Sequence, residues 1–238
     1  MSKGPIASSS SGCVIARSVA QRSDEAIFVN GIIMLIDCNQ FSSDQLYFLL
    51  IQLVIPRPIA WVISDNGNGT YNLAPFSFFN AITSNPPILM LSVGWKDETT
   101  RKDSWVNIRD RKNFVVHIPT SEQVHDVSNS SFVLPHGVSE ADKFHIPYEN
   151  VEGWPLPKIK GCKVAFLCEK YAIHEIGKDP QGLILGAINR IWIDEEVVSQ
   201  NKDRIVIDPL KVNPLLRLGG NHYSILGEIL TVKRPDKP

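Results

Sequence analysis

The sequence of 238 residues lacks any apolar run that could cross a bilayer, and it lacks an excess of either charge. Its longest apolar run near the N-terminus, GIIMLI at residues 31–36, is far shorter than the roughly 20 residues of a membrane-spanning helix. Lysine and arginine total 24 against 25 acidic residues. This balance is untypical of proteins that bind nucleic acid or anionic membranes. We therefore predict neither partner, and a cytoplasmic location.

The motifs of nucleophilic, nucleotide-binding and metal-dependent enzymes are also missing. The chain has no G-x-S-x-G and no P-loop, and GNGTYN fails the G-x-G-x-x-G pattern at its sixth position. The six histidines are scattered, and the four cysteines form no C-x-x-C pair. We predict no metal site and no catalytic side chain. An enzyme of this kind would depend on an organic cofactor. The cysteines are predicted to be buried free thiols, with Cys162 and Cys168 on one face of a strand.

Many short strands and few helices predict the fold class. Residues 1–35 are predicted to form a flexible tail, and residues 36–238 one domain. Ser42 and Gln45 form a capping-box pattern at the start of a helix that ends before Pro56, and Thr120 and Gln123 form a second one before the helix at 121–131. The absence of strand–helix alternation favours a mainly β fold, an antiparallel barrel with a few peripheral helices. Further predictions are a hairpin around DNGNG, helices at 103–112 and 121–131, a covering loop at 133–160, long strands at 162–177 and 182–194, and a last strand at 223–232.

The segment NLAPFSFFNAITSNPP, residues 72–87, places aromatic residues beside a proline in a predicted strand. Pro75 has no backbone N–H, so it belongs at a sheet edge or a bulge. The backbone groups of residues 76–78 are then available to a ligand. A planar heterocycle with a hydrogen-bonding edge and aromatic neighbours would suit them. In the alternative interpretation, this is a barrel strand whose Phe78 and Phe79 fill the core.

The segment RKDSWVNI, residues 101–108, places two cations at the predicted start of a helix. Asp103 or Ser104 is predicted to be the N-cap. The helix dipole is positive there, so Arg101 and Lys102 lie at the unfavourable end. A bound phosphate would reverse the sign, because free N–H groups, a hydroxyl and two cations would converge on it. The alternative is a solvated loop.

Taken together, these segments resemble a known family. VIPRPIAWVISDNGNGTYNLAPFSFFNAITSNPPILMLSV, residues 54–93, resembles the signature of flavin reductase-like proteins with the FMN-binding split-barrel fold. RKDSWVNI resembles the K-D-[ST]-x-x-N-I element of that family. LPHGVSEADKF and RLGGNHYSILGEI resemble its less specific elements. The resemblance covers about residues 36–235 and implies a split barrel of Greek-key type.

The resemblance also implies a set of FMN-binding residues, near the interface of a homodimer. Residues expected to line the isoalloxazine, largely through backbone groups, are Ala74, Pro75, Phe76, Ser77 and Phe78. Those near the ribityl chain and phosphate are Asn80, Thr83 and Ser84. The phosphate element supplies Lys102 and Ser104, with Arg101 beside them. Lys102 is preferred to Lys96 because the helix pattern follows only Lys102. Further neighbours are Arg57 and Trp61, and Tyr223 could close over the ring.

The function implied by the resemblance is an NAD(P)H-dependent flavin oxidoreductase that uses FMN. Hydride would pass from nicotinamide to flavin, and reduced flavin would serve a partner oxygenase or another acceptor. The barrel offers no acid that would distinguish NADH from NADPH. Two alternatives stay open: a flavoprotein that reduces or oxygenates a specific organic substrate, and a non-enzymatic FMN-binding electron carrier.

Overall fold

The structure, a computed structural model, describes residues 28–29, 33–97, 99–178, 181–201 and 204–235. The chain divides into two compact units, Met1–Leu50 and Ile51–Pro238. In the first unit, strands β1 and β2 pair antiparallel. Most of the predicted tail, residues 1–35, lies outside the described residues, so the tail and its boundary stay a prediction.

The helices are short and the strands dominate. The helices are α1 (Ser43–Leu53), α2 (Asp103–Arg111), α3 (Val124–Asn129), α4 (Glu140–Lys143) and α5 (Pro209–Val212), with 3-10 turns at Cys38–Gln40, Ser121–Gln123 and Glu195–Val197. The strands are β1 (Phe28–Val29), β2 (Ile33–Met34), β3 (Arg57–Pro58), β4 (Ala60–Asp65), β5 (Tyr71–Phe76), β6 (Phe79–Ser84), β7 (Pro87–Val93), β8 (Asn113–Ile118), β9 (Tyr148–Glu149), β10 (Lys158–Ile159), β11 (Val164–Ile176), β12 (Gln181–Ile193), β13 (Val198–Asn201), β14 (Arg204–Ile207), β15 (Leu216–Arg217) and β16 (Tyr223–Ser224).

The main sheet has seven strands in the order β5-β4-β8-β11-β12-β7-β6, all antiparallel. Strands β5 and β6 lie at opposite edges, although only Ser77 and Phe78 separate them in the chain. In a flat sheet, six strand spacings would separate these edges by about 29 Å. Three Cα–Cα steps span at most about 11 Å. The sheet must therefore curl until its edges meet at Ser77–Phe78, which gives an open barrel.

The two faces of the curled sheet carry separate cores because side chains alternate along each strand. In β4, Trp61 and Ile63 belong to an outer cluster with α3 and α4, and Ala60 and Val62 belong to an inner cluster. The inner cluster also takes Ile108 of α2 and the interior residues of β7 and β12. Both faces of the central strands are thus covered, which explains their nearly continuous apolar sequence.

Several local predictions are confirmed. Ser42 and Gln45 exchange the two hydrogen bonds of a capping box, at 2.9 and 3.3 Å. Thr120 and Gln123 form a second capping box, at the 3-10 turn before α3. The DNGNG hairpin joins β4 to β5. Pro75 lies in an edge strand, as its missing N–H required.

Other local predictions are wrong. The predicted loop at 133–160 contains α4, β9 and β10, and the predicted last strand at 223–232 is limited to Tyr223–Ser224. Cys162 and Cys168 are buried free thiols, but they lie in the outer and inner cluster respectively. Cys162 precedes β11, which begins at Val164, so strand alternation does not relate the two cysteines. Cys38 is a free thiol but is exposed, so its predicted burial is wrong. Cys13 lies outside the described residues.

A fully buried histidine ties three strands together. His117 Nδ1 lies 2.8 Å from the Trp61 carbonyl of β4, and Nε2 accepts the Ile159 N–H of β10 at 3.0 Å. An acceptor at Nε2 requires the proton on Nδ1, so the ring is neutral. Burial lowers the pKa of His117 from 6.5 to about 4. The neutral ring is thus part of the native fold.

This depressed pKa predicts acid sensitivity. The unfolded chain takes up a proton at His117 as the pH falls below 6.5, whereas the folded chain does so only near pH 4. The contribution of His117 to the free energy of unfolding should therefore fall by about 3 kcal/mol between pH 7 and pH 4. Urea unfolding at both pH values measures it. His117→Gln should remove most of this dependence, and His125→Gln, at an exposed site, should retain it. Equal pH dependence in wild type and His117→Gln would contradict the assignment.

Candidate functional site

The link Ser77–Phe78, between the two sheet edges, is the first component of the site. Phe76 is buried in the inner cluster, whereas Phe78 is 37% exposed. The backbone groups of residues 76–78 were predicted to be available to a ligand, but the Phe78 carbonyl already accepts the Ser92 N–H of β7 at 2.9 Å. The Leu73 N–H points away from β4, at the free edge of the sheet, and donates to the Glu140 carboxyl. Two residues on, Pro75 occupies the same outward position, so its missing N–H interrupts no ladder bond.

Arg57 contacts both residues of this link. Its Nε donates to Ser77 Oγ at 3.2 Å, and its guanidinium lies 6.0 Å from the centre of the Phe78 ring. The other nitrogens donate to the carbonyls of Ile51, Val54 and Leu218. Arg57 therefore lies beside the predicted ring-binding segment, as expected, and its donors serve the fold.

The start of α2 is the second component. Lys102 is the N-cap, in extended conformation, and makes no side-chain cap hydrogen bond. The prediction that Asp103 or Ser104 is the N-cap is thus wrong by one or two residues. The Lys102 ammonium lies 5.7 Å from the centre of the Phe76 ring, which brings the two predicted segments together. Burial lowers the pKa of Lys102, and no carboxylate pairs with it among the described residues.

The two neighbouring cations have partners. Arg101 bonds the Glu175 carboxylate, and its guanidinium lies 3.6 Å from the ring centre of Trp95 and 4.8 Å from that of Trp105. Lys96 lies 3.5 Å from Asp103 Oδ1. Of Lys96, Arg101 and Lys102, Lys102 alone has no carboxylate partner within the described residues, so its charge is available to a ligand. We therefore leave Arg101 out of the phosphate site.

The remaining predicted residues lie in varied surroundings. Ser104 is buried, and its hydroxyl accepts the Asn72 side-chain N–H at 2.8 Å, so it lies behind Lys102. Trp61 is fully buried in the outer cluster, with its indole N–H on Ser130, and offers no surface to a ligand. Tyr223 packs against the same outer cluster. The exposed side chains of β6, at the opposite sheet edge, include Asn80, Thr83 and Ser84.

Two buried residues of this region were missed by the sequence reasoning. Asn107 joins α2 to β4, because its amide donates to Ser64 Oγ at 3.1 Å and to Asn66 Oδ1 at 2.9 Å. Its place in the K-D-[ST]-x-x-N-I pattern was the available signal. Glu140 lies in LPHGVSEADKF, a less specific family element, but no role was assigned to it because the segment was predicted to be a loop.

A cavity of about 560 Å³ lies elsewhere in the molecule. Its lining includes Lys160, Lys163 and Lys211, together with Glu122 and Asp126. None of the predicted FMN-binding residues lines it. The candidate site, at the sheet edges and the start of α2, is thus separate from this cavity.

The family follows from comparison with known sequences. A family model described as "Flavin reductase like domain" matches residues 53–225. The chain belongs to this family. Among curated relatives, the uncharacterized protein YwrF of Bacillus subtilis is 36% identical over 202 residues, which cover 83% of this chain and 97% of YwrF.

Solved structures agree with this assignment. Nitrilotriacetate monooxygenase component B from Bacillus cereus has a TM-score of 0.77 at 29% identity, covering 84% of this chain and 98% of that one. The 2-nitrobenzoate 2-nitroreductase NbaA of Pseudomonas fluorescens has a TM-score of 0.73 at 27% identity, covering 85% and 96%. The predicted mainly β, antiparallel split-barrel fold of flavin reductase-like proteins is confirmed.

Two further findings concern the described residues alone. No helix within them is long and apolar enough to span a membrane. No group of three or more His, Cys, Asp or Glu side chains within them is arranged to hold a metal ion.

The unpaired charge of Lys102 predicts an unusual effect on stability. Without flavin, Lys102→Met should raise the free energy of unfolding by about 1 kcal/mol, because it removes a desolvated cation that has no partner. Arg101→Met should lower it by about 1 to 2 kcal/mol, through loss of the Glu175 pair and the indole contacts. Urea unfolding of the three flavin-free proteins measures both. If Lys102→Met is destabilised as much as Arg101→Met, the charge of Lys102 has a partner in the fold.

Proposed function

We propose that the protein is an FMN-binding oxidoreductase, an NAD(P)H-dependent flavin reductase. The observation that carries this proposal is the Lys102 ammonium, which lies at a helix N-terminus, beside Phe76 and without a carboxylate partner among the described residues. Membership of the flavin reductase-like family supports it. The proposal covers the cofactor, the electron donor and the residues that bind them.

The anionic end of FMN fits the start of α2. The first backbone N–H groups of a helix have no intrahelical partner and carry the positive end of the dipole. The Lys102 charge lies beside them, and a phosphate dianion would supply the partner that it lacks. Ser104, through its hydrogen bond with Asn72, would help to hold the start of α2 and its N–H donors in position.

The ring end of FMN fits the link between the sheet edges. Phe78, which is 37% exposed, supplies apolar surface, and the backbone at Ser77 lies between it and the buried Phe76. Residues Ala74–Phe78 would line the ring, with Arg57 holding Ser77 in position. The exposed polar side chains of β6, Asn80, Thr83 and Ser84, would face the ribityl chain.

When bound, FMN supplies the acceptor for a hydride from nicotinamide. The chain's own contribution is to bind and orient. Lys102 would hold the phosphate, and residues 76–78 would orient the ring toward the nicotinamide. Charge that develops on the ring would be stabilised by backbone donors, not by a side-chain acid or base.

Other parts of the proposal rest on family likeness. We propose a homodimer in which the second subunit completes the site at the sheet edges. Since one structural neighbour is component B of a monooxygenase, we propose that reduced flavin passes to a partner oxygenase or another acceptor. The cytoplasmic location stays a prediction.

The likeness to NbaA favours a second candidate function. NbaA is a 2-nitrobenzoate 2-nitroreductase, and this chain covers 96% of it at 27% identity. On that model the protein would reduce one specific organic substrate at the flavin. A non-enzymatic FMN-binding carrier is the remaining alternative.

A visible absorption spectrum distinguishes these functions. The purified protein with FMN should show flavin absorbance that bleaches within seconds when NADH or NADPH is added without oxygen. Bleaching by dithionite but by neither nicotinamide would favour the carrier or a specific-substrate enzyme. A protein that binds no FMN would contradict the flavin assignment altogether.

The phosphate site makes a separate prediction. Lys102→Met should weaken FMN binding by about 1 to 3 kcal/mol, as expected for loss of a charge-assisted hydrogen bond. Lys112→Met is the matched control, because Lys112 is exposed at the other end of α2. Fluorescence titration of FMN measures the three dissociation constants. Equal weakening in both variants would show that net charge, not a local contact, sets the affinity.

A further inference from the structure

A buried polar network lies behind the start of α2. Asp103, the first residue of the helix, is 7% exposed. Its Oδ1 lies 3.5 Å from the Lys96 ammonium and 3.2 Å from His136 Nδ1. The network therefore places one compensated negative charge directly beside the proposed phosphate site.

The chain segment 134–140 covers this network and is fastened to it. The Gly137 carbonyl accepts from Asn68 Nδ2 at 3.0 Å and from Thr70 Oγ1 at 3.2 Å. The Leu134 carbonyl accepts from the Lys96 ammonium. These bonds hold the segment against the β4–β5 hairpin, and they fix the residue that ends it, Glu140.

Glu140 takes the place of a neighbouring strand at the free edge of β5. It is 5% exposed, and its Oε2 accepts the outward N–H of Leu73 at 2.9 Å. Leu73 belongs to the edge strand β5, which leads directly into residues 74–78. The Glu140 carboxyl thus satisfies an edge donor that would otherwise be buried without a partner.

The charge on Glu140 is sensitive to its surroundings. The pKa of Glu140 is raised to about 7, chiefly by burial and to a lesser extent by the negative charge of Asp103, whereas the Leu73 N–H and Lys96 act in the opposite direction. His136 faces the same network through Asp103. On its own helix, the charged residues Asp142 and Lys143 are exposed.

We propose that Glu140 is a positioning residue of the flavin site, which holds β5 in place and, when ionised, opposes the binding of a phosphate at the start of α2. This inference rests on the proposed function. Both protonation states keep an oxygen that can accept from Leu73, so the strand stays fixed as the charge changes. The ionised state, however, adds a second buried negative charge beside Asp103. Two carboxylates near one phosphate site weaken its attraction for an anion.

The test compares wild type with Glu140→Gln, which keeps the acceptor oxygen and removes the charge. Dissociation constants for FMN and for riboflavin are measured at pH 6 and pH 8. The ratio of the wild-type to the variant constant for FMN should rise about fivefold between these pH values. For riboflavin, which has no phosphate, the ratio should stay constant. Glu152→Gln, at an exposed site, is the control with the same change of net charge.

A flavin-free measurement checks the charge itself. The folded-state pKa of Glu140 lies above its unfolded value, so its contribution to stability is complete below about pH 4.5 and is lost as the pH rises through about 7. The free energy of unfolding of wild type relative to Glu140→Gln should therefore fall from pH 4.5 to pH 8. A constant difference would overturn the inference.

The outcomes separate this inference from the proposed function. If both proteins bind FMN with the same pH dependence, the inference is overturned and the function stands. If neither protein binds FMN or riboflavin, the function is overturned and the inference falls with it. Should Glu140→Gln not fold, Asp103→Asn serves instead, because it removes the neighbouring charge. At low pH the affinity of this variant for FMN should be higher than that of wild type, and it should fall with a midpoint at lower pH. An unshifted midpoint would overturn the inference.

Discussion

The two residues Ser77 and Phe78 impose the constraint on which the rest of the barrel depends. They join strands at opposite edges of a seven-stranded sheet, so the sheet can form only if it curls until those edges meet. The curl encloses the inner apolar cluster and leaves the outer face to α3, α4 and their loops. It also brings an aromatic, proline-containing strand end beside the start of α2. One short link thus determines both the core and the location of the candidate site.

Charge compensation then distinguishes structural cations from Lys102, the cation that we propose binds phosphate. Arg57 donates to carbonyls and to Ser77, and Arg101 is bonded to Glu175 between two indole rings. Lys96 is paired with Asp103. Lys102 has no such carboxylate partner among the described residues, although burial lowers its pKa. A fold that keeps a desolvated charge unpaired sacrifices stability at that position, which is common at functional sites.

Local sequence patterns predicted those features whose causes are local. Pro75 predicted an edge strand because a missing N–H is a property of one residue, and the capping boxes at Ser42 and Thr120 depend on residues three apart. The two-cation helix start was found, but only the structure shows that Arg101 is already paired. Glu140 was missed because its partner, Leu73, lies 67 residues away in the chain. Cys162 and Cys168 were misplaced because Cys162 lies before β11 begins, where the alternation of a strand does not apply.

The most direct measurement is a crystal structure of the protein with FMN bound. The account predicts a phosphate oxygen within hydrogen-bond distance, about 3 Å, of Lys102 Nζ and of the first N–H groups of α2. It predicts the isoalloxazine against residues 74–78, beside Phe76 and Phe78. An FMN whose phosphate lies elsewhere, for example in the cavity lined by Lys160 and Lys211, would contradict it.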